Sequence, residues 1–565
     1  VLDMLGGTGN VGLGSGAFGT ALTTGTDNVA IGEAAGDALT SGADNTLVGD
    51  NAGGALTTGG NNVAVGSGAL LVATTAADNT AVGTLALTAN SSGTDNTAVG
   101  YAAGDAVTTG SDNTLVGDNA GGALTTGGDN TAIGSGALAT EDGNGQNVAV
   151  GSAALATLNA GADAGNVAIG YQALTAASTG VDNVAVGFQA GDAVTTGSDN
   201  TLIGDSAGGA LTTGANNVAV GSAALSTEDG NGNNVAVGVS ALATLNAGAD
   251  AGNVAIGYQA LTAASTGVDN VAVGANAGDA VTTGADNTFV GDNAGGATTT
   301  ANNNVAVGSS ALLVNSTGTQ NVAVGASALL SNTTASYSTA VGYDAAKVNS
   351  TGASLTAVGS YALDANTTGN YNTAVGSSAL GANTTASNNT ALGYSALYVN
   401  STGSYNTAVG HEALTANTTG EQNVAMGRGA LIANTTASYS VAVGDSALTS
   451  ATTGGSNTAI GSAAGLSIST GSNLQAFGKD AARSGSPGGA ATTGSNAVYI
   501  ADENITAAYI QVDWTISSDE RDKTDFTALD LGLDFVKDLA PVTYKWDKRS
   551  NYINNNDPAV DLDKV

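Results

Sequence analysis

Residues 28–32 read Asn-Val-Ala-Ile-Gly and residues 372–376 read Asn-Thr-Ala-Val-Gly, two copies of a short run that recurs along most of this chain. A glycine closes such a run 28 times between Gly14 and Gly478. In 24 of the 27 steps from one such glycine to the next, the residue number rises by 17; in one step it rises by 18, and in two by 19. A short fixed period is typical of a solenoid, in which each unit stacks only on its neighbours. We therefore expect most of the chain to be one stack of coils.

When the closing glycine is numbered 0, every coil shows the same pattern of residue types. Position −1 is Val, Ile, Leu, Met or Phe in all coils, and position −3 is usually Val or Thr. These residues alternate with Ala, the commonest residue at −2, which predicts a strand with a two-residue period. Position +3 is Ala in every coil, from Ala17 to Ala481, which indicates a place where a larger side chain would collide with the next wall.

Two further positions predict how the coils turn. Position −4 is Asn in 24 coils, and stacking at about 4.8 Å brings these amides close enough for a hydrogen-bonded ladder. Near position +10 a Thr-Thr-Gly or Thr-Thr-Ala triplet recurs, as at 57–59 and 384–386. We expect Gly there to adopt a positive φ and Thr to continue into a second strand. Each coil would then hold two strands and two corners, and 28 coils would give a shaft on the order of 130 Å.

Composition narrows the classes of protein. Only 3 Pro accompany 85 Gly, and Gly does not recur every third residue, which excludes collagen. A mean hydropathy of +0.11 together with strict apolar spacing argues against disorder. The formal net charge of −35 disfavours nucleic acid and anionic lipid surfaces as partners, and the absence of Cys excludes disulfides and thiolate metal sites. No apolar stretch is long enough to predict a transmembrane helix, so we expect no membrane insertion.

Candidate ligand sites in the repeats are weak. The single histidine, His411, follows a closing glycine at an outward corner, where we expect exposure rather than metal ligation. Asp-rich corners such as 49–51 could hold Ca²⁺, but the Gly-Gly-x-Gly-x-Asp pattern of calcium β-rolls is missing. No carboxylate pair suited to glycan hydrolysis can be identified. We therefore predict no metal, no cofactor and no enzymatic activity in the shaft.

The repeat Asn-Thr-Ala-Val-Gly-x-x-Ala-Leu resembles the head repeats of YadA-like trimeric autotransporter adhesins, which are similar to repeats in bacteriophage tail-fibre shafts. The resemblance covers roughly residues 10–480. It implies a left-handed parallel β-roll and packing of three chains side by side. The coils here are longer than in the adhesins, so one corner is expected to be larger.

Composition changes after Gly478, and the C-terminal segment resembles a second family. Residues 517–523 read Ser-Ser-Asp-Glu-Arg-Asp-Lys, a helix is predicted over 529–539, and Pro-Val-Thr-Tyr-Lys-Trp follows at 541–546. This order resembles the start of the S74-type intramolecular chaperone of phage tailspikes, endosialidases and fibres. The resemblance implies a trimerisation chaperone released by self-cleavage.

Carried over residue by residue, the resemblance implies a nucleophile at Ser518 and a base at Lys523, while Asp519 and Arg521 hold the local turn. A Lys with a depressed pKa can activate a Ser hydroxyl. The alternative for this charged run is a solvated loop after a strand. Because the family domain is longer than the segment present, we expect 518–565 to be the start of a truncated chaperone domain.

These observations predict an all-β fold with a small mixed α/β C-terminal segment. The expected parts are a β-solenoid shaft over 1–483, a linker and β neck over 484–517, where 497–500 and 508–512 read as strands, and the chaperone start over 518–565. The predicted function is that of a homotrimeric bacteriophage tail fibre in the virion. Its partners would be other tail or fibre proteins and a host cell-surface receptor, glycan or protein. The alternatives are a bacterial trimeric surface adhesin or extracellular filament, and a glycan-degrading tailspike, which would need an acidic cleft.

Overall fold

The computed structural model describes residues 2–3, residues 8–483 without 142, 144, 162, 229, 231 and 249, and residues 489–500, 502 and 504–507. The chain divides into two compact units, Val1–Ile505 and Thr506–Val565. Within the described part, every regular element is a short β-strand, so the predicted all-β class is confirmed there. The helix predicted over 529–539 and the strand predicted over 508–512 lie outside the described residues.

The 30 strands, numbered in chain order, are β1 Leu2–Asp3, β2 Val11–Leu13, β3 Val29–Ile31, β4 Thr46–Val48, β5 Val63–Val65, β6 Thr80–Val82, β7 Thr97–Val99, β8 Thr114–Val116, β9 Thr131–Ile133, β10 Val148–Val150, β11 Val167–Ile169, β12 Val184–Val186, β13 Thr201–Ile203, β14 Val218–Val220, β15 Val235–Val237, β16 Val254–Ile256, β17 Val271–Val273, β18 Thr288–Val290, β19 Val305–Val307, β20 Val322–Val324, β21 Thr339–Val341, β22 Thr356–Val358, β23 Thr373–Val375, β24 Thr390–Leu392, β25 Thr407–Val409, β26 Val424–Met426, β27 Val441–Val443, β28 Thr458–Ile460, β29 Gln475–Phe477 and β30 Val498–Ile500.

All these strands belong to one sheet, and from β2 to β30 each strand pairs in parallel with the next strand along the chain. Only β1 pairs antiparallel, with β2. The register holds position by position, even across one of the longer intervals, where Val148 pairs with Val167. The final step, from β29 to β30, is longer still, since Gln475 pairs with Val498, but it keeps the parallel pairing. The predicted parallel β-solenoid, with one coil for each sequence repeat, is therefore confirmed.

Most coils bury the same six positions: −4, −2, +3, +4, +7 and +10. Described exceptions are Ala21 at +7 in the first coil, which is half-buried, and Gly161 and Gly248 at +10 in the two longer coils, which are exposed. In β4, for example, Leu47 at −2 is fully buried, whereas its neighbours Thr46 and Val48 are half-buried. The core is thus narrow and consists mainly of Ala and Leu. The invariant Ala at +3 is buried in every coil, as predicted from the lack of room for a larger residue. Positions −3 and −1 form the outer face of the sheet.

The core keeps its volume constant by exchanging large and small residues between positions −2 and +4. Most coils have Ala at −2 and many pair it with Leu at +4, but Leu47 at −2 is flanked by Gly36 and Gly53 at +4. A Cβ atom on either glycine would lie 2.7–2.8 Å from a Leu47 methyl group. The same exchange surrounds Phe289, which lies between Gly278 and Gly295. Dense cores do not tolerate the extra volume.

The predicted asparagine ladder at −4 is confirmed. Asn45 Nδ2 donates to Asn28 Oδ1 at 3.0 Å, to the Gly59 carbonyl at 3.0 Å and to the Ala43 carbonyl at 3.1 Å. Its Oδ1 accepts from the Asn62 backbone N–H and from Asn62 Nδ2, both at 3.0 Å. One amide therefore satisfies buried backbone groups of its own coil and of the next coil, which explains why Asn recurs there.

A second buried asparagine ladder, at +7, was not predicted. It links eight consecutive coils, with Nδ2 to Oδ1 distances of 2.8–3.1 Å between neighbours. Each Nδ2 also donates to the carbonyl at +10 of its own coil, as Asn400 does to Gly403 at 2.8 Å. The eight residues are Asn315, Asn332, Asn349, Asn366, Asn383, Asn400, Asn417 and Asn434.

The predicted second strand is wrong. At the Thr-Thr-Gly corner, the backbone N–H groups of Thr40, Ser41 and Gly42 all converge on the Thr57 carbonyl, at 2.9, 3.2 and 3.3 Å. Thr40 Oγ1 donates to the same oxygen at 3.0 Å. Three donors on one acceptor form a tight bend rather than an extended ladder. Thr is used here for its hydroxyl, not for its β-branched shape.

The predicted positive φ near +10 is also wrong, because the glycines of the Thr-Thr-Gly triplets, such as Gly59 and Gly420, have no positive φ. Positive φ instead occurs at −5, 0, +2 and +4, as at Asp44 (61°), Gly49 (138°), Asn51 (56°) and Gly53 (58°). The closing glycine combines such a φ with close stacking. A Cβ on Gly204 would lie 2.6 Å from the carbonyl carbon and oxygen of Gly221 in the next coil. Only glycine fits both demands.

Candidate functional site

The residues predicted to carry self-cleavage, Ser518, Lys523, Asp519 and Arg521, lie outside the described residues. Their mutual geometry remains a prediction. Among the residues that the structure does describe, no group of three or more His, Asp or Glu side chains is placed to hold a metal ion. In that same part of the chain no helix is long and apolar enough to cross a lipid bilayer. The candidate functional features of the shaft are therefore its outer surfaces.

The outer face of the parallel sheet carries an apolar row at position −1 that runs the length of the coil stack, beside a row at −3 in which Val and Thr predominate. Side chains at −1 are often more than a third exposed, as are Ile256 (40%), Leu392 (47%) and Ile460 (44%). Sheets made wholly of parallel strands are normally covered on both faces, and long apolar patches on a protein surface usually mark an interface. This face is therefore suited to packing against another apolar surface.

Charge is distributed unevenly along the shaft. Residues 1–301 contain 26 Asp and Glu and no Lys or Arg, whereas residues 302–478 contain five acidic and two basic residues. At position −5, ten coils up to Asp286 carry Asp, and none carries it afterwards. The early coils thus present an anionic edge, and the later coils present a nearly neutral one.

Several aspartates at position +5 are perturbed by partial burial. Desolvation raises the pKa of Asp105, Asp192 and Asp279, although hydrogen bonds from nearby backbone N–H groups oppose the shift. Burial likewise raises the pKa of Asp364. These carboxylates are spread along the shaft, one to a coil and several coils apart, so they form no acid–base pair.

A shallow groove of about 210 Å³ lies beside His411 and is also lined by Glu412, Arg428 and Ile432. The His411 ring stacks on Tyr394 of the preceding coil at a centroid distance of 5.2 Å. Arg428 Nε donates to Asp445 Oδ1 at 2.8 Å, which raises the pKa of the guanidinium and lowers that of the carboxyl. The His411 side chain is 54% exposed, as predicted for an outward corner.

Four tyrosines form a row on the edge that precedes the strands, at position −5 of every second coil. They are 59–64% exposed, and each has a φ between 57° and 64°. The coils between them carry Ser354, Asn388 and Gln422 at the same position. Sequence inspection missed this row, although a comparison of alternate coils reveals it. We call it the tyrosine row; its members are Tyr337, Tyr371, Tyr405 and Tyr439.

Comparison with known families gives a match in the C-terminal segment. Residues 518–560 match the Peptidase S74 family, described as the chaperone of endosialidase. This match covers the segment that contains the four predicted cleavage residues and leaves the solenoid unmatched. A search of curated proteins found no match to this chain.

Proposed function

We propose that this chain is the structural fibre of a bacteriophage tail: a homotrimeric β-solenoid shaft for host attachment, followed by a trimerisation chaperone. The observation that carries the proposal is the match of residues 518–560, C-terminal to a long solenoid, to the endosialidase chaperone family. In the proposed arrangement, 1–483 is the shaft, 484–517 is the linker and neck, and 518–565 is the start of the chaperone. The mature protein belongs to the virion and contacts other tail proteins and a host receptor.

The apolar outer face of the sheet supports the homotrimer. A single coil stack leaves a long row of Val, Ile and Leu side chains at −1 partly exposed to water. Three copies that turn these faces toward a common axis would bury the row along the whole shaft. Burial of apolar area is the main favourable term in association, so the gain grows with every coil. Resemblance of the repeats to YadA-like heads supports the same stoichiometry.

The proposed processing step is a self-cleavage at Ser518. Lys523 takes the proton from the Ser518 hydroxyl, whose oxygen attacks the peptide carbonyl that precedes it. Asp519 and Arg521 hold the turn that brings the two side chains together. As the peptide bond between Ser517 and Ser518 breaks, the acyl group of Ser517 passes to the Ser518 oxygen as an ester, and Lys523 returns the proton to the freed Ser518 amine. Water then hydrolyses this ester, which leaves a carboxylate on Ser517 and releases the chaperone once the trimer has formed.

The test is native and intact-mass spectrometry of the mature protein, isolated from the particles or cells that contain it. Three copies of the chain, each ending at Ser517, are expected. In a matched recombinant pair, Ser518→Ala should keep the C-terminal segment, and Ser517→Ala should still lose it. A monomer would overturn the proposed homotrimer. A mature C-terminus well beyond Ser518 would overturn the proposed self-cleavage.

A further inference from the structure

The tyrosine row has a regular spacing that the coil geometry imposes. Its members recur at the same position of every second coil. Because neighbouring strands of a sheet are about 4.8 Å apart, successive tyrosines are about 9.6 Å apart along the shaft. None of the ring contacts among the described residues joins two members of the row. Each ring is therefore a separate platform, and the four span about 29 Å.

The local backbone does not favour tyrosine at these positions. A positive φ suits Gly, Asn and Asp, and the leucines that adopt it at +4, such as Leu70 and Leu380, are fully buried in the core. Elsewhere in the solenoid, position −5 is Gly, Asp, Asn, Gln or Ser, as at Asp286, Asn303 and Ser456. The tyrosines also gain little from packing, since more than half of each side chain is exposed. Strained residues that the fold does not need occur mostly at functional sites.

Polar groups flank the row on the same edge. The residue before each tyrosine is Ser or Asn, and its side-chain oxygen accepts a backbone N–H of the preceding coil, as Asn370 Oδ1 does from Ala353 at 2.8 Å. Ser438 Oγ accepts likewise from Glu421 at 2.9 Å. These bonds fix the corner that carries each tyrosine. Three residues before each tyrosine, at +9, the chain carries another exposed hydroxyl-bearing residue: Thr334, Thr368, Thr402 and Thr436.

We propose that the tyrosine row binds an extended linear polysaccharide that lies parallel to the shaft, with one tyrosine under every second sugar. In extended β-1,4-linked chains alternate sugar rings present the same face, and the disaccharide repeat is close to the spacing of the row. The apolar face of a sugar ring stacks on an aromatic ring, while its hydroxyls hydrogen-bond to neighbouring Thr, Ser and Asn groups. This inference deepens the proposed role in attachment and rests on it for the cellular source of the glycan.

Charge and periodicity favour a glycan over a second copy of this chain. The row lies in the nearly neutral part of the shaft, where no Asp occupies position −5, so neutral and anionic saccharides can both approach. A second copy packed along this edge would meet a polar residue, such as Asn388, at every other coil. A ligand with a disaccharide repeat can place one sugar ring on each tyrosine and the hydroxyls of the intervening sugar beside the polar residue of the next coil. Four equivalent contacts on one rigid edge also add up as avidity.

The test is affinity electrophoresis of the purified full chain in gels containing hydroxyethylcellulose, a β-1,4-linked glucan, or dextran, an α-1,6-linked glucan. Calorimetry with cellohexaose and chitohexaose gives affinities. The double variant Tyr371→Asn/Tyr405→Asn should bind about 25-fold more weakly, at about 5-fold per stacking contact. Because Asn388 occupies the same position naturally, this variant should melt no lower than the parent. Tyr101→Ser/Tyr258→Ser, which removes exposed tyrosines outside the row, should bind as the parent does.

A register variant separates spacing from composition. Tyr371→Asn/Asn388→Tyr keeps four exposed tyrosines but breaks the two-coil spacing, so it should bind as weakly as Tyr371→Asn alone. The proposal is overturned if the parent binds none of the three β-1,4-linked ligands, or if the register variant binds as tightly as the parent. It is also overturned if the double variant changes the number of chains in the purified oligomer, because the tyrosine row would then be a contact between copies of this chain. Binding to purified glycan is measured independently of any particle, so it can succeed even if the proposed tail-fibre function fails.

Discussion

Removing one amide from the ladder at −4 should weaken a coil far more than the loss of one side chain suggests. Asn270 is fully buried near the middle of the shaft. Its Nδ2 donates to the Gly284 carbonyl at 2.8 Å, and its Oδ1 accepts from the backbone N–H and from Nδ2 of Asn287 at 3.1 and 3.0 Å. Asn270→Ala leaves the Gly284 carbonyl and the Asn287 N–H without these partners, in a place that water does not reach.

The expected cost follows from those two orphaned groups. Each buried group left unsatisfied costs about 1–3 kcal/mol, so we expect about 3 kcal/mol for the pair. Asn270→Ser should cost about half as much, because a serine hydroxyl can still accept from the next coil. Natural coils show this geometry: Ser338 Oγ accepts from Leu355 N–H at 3.3 Å.

Hydrogen exchange followed by mass spectrometry is the suitable assay, since coils in a solenoid open locally and a single melting temperature averages over them. Peptides covering residues 270–290 should exchange about 100-fold faster in Asn270→Ala than in the parent. The control is Asn159→Ala. Asn159 is exposed and lies in the 19-residue step between Gly151 and Gly170, so this substitution should not change the exchange rate. An Asn270→Ala protein that exchanges within threefold of the parent would refute the ladder as a source of stability.

Three further predictions concern other positions. Gly204→Ala should lower the free energy of unfolding by about 3 kcal/mol or more, because its Cβ would collide with the Gly221 carbonyl of the next coil. Gly136→Ala, where a Cβ would have nothing within 4 Å, should lower it by about 1 kcal/mol or less. Thermal unfolding of the two variants measures the difference. Leu355→Asn should raise the melting temperature by restoring the interrupted ladder, and an unchanged or lower value would contradict this. Raised carboxyl pKa values mean that the folded state binds protons more readily than the unfolded one. The free energy of unfolding should therefore rise as the pH falls from neutral toward the raised pKa values of Asp105, Asp192 and Asp279. A variant with all three changed to Asn should show a smaller rise. Equal dependence on pH in the parent and the triple variant would contradict the raised pKa values.

The columns of identical residues made the solenoid predictable. Every coil must fit the same neighbours, so Ala recurs at the buried position +3 and Asn at the buried position −4. The same residue pattern can therefore be compared over 28 coils of a single chain. The exchange between Leu47 and its two flanking glycines could also have been read from the sequence, because large residues at −2 occur only where +4 is Gly.

The Thr-Thr-Gly corner shows why the rest could not be predicted. Thr favours strands in general, but here its hydroxyl and three backbone N–H groups converge on one carbonyl of the next coil, an arrangement that no local propensity reveals. The +7 ladder was missed for a related reason: Asn315 and its equivalents belong to Asn-Ser/Thr-Thr runs that also suit a surface turn. Exposure of the tyrosine row depends on the positive φ at −5, which sequence alone did not place.

A cryo-electron microscopy map of the purified chain would show whether residues 14–478 form one stack of parallel coils. We expect a continuous ladder of strands spaced about 4.8 Å, one for each sequence repeat, extending over about 130 Å. A map with helices, separate globular lobes or antiparallel strand pairs across residues 14–478 would contradict it.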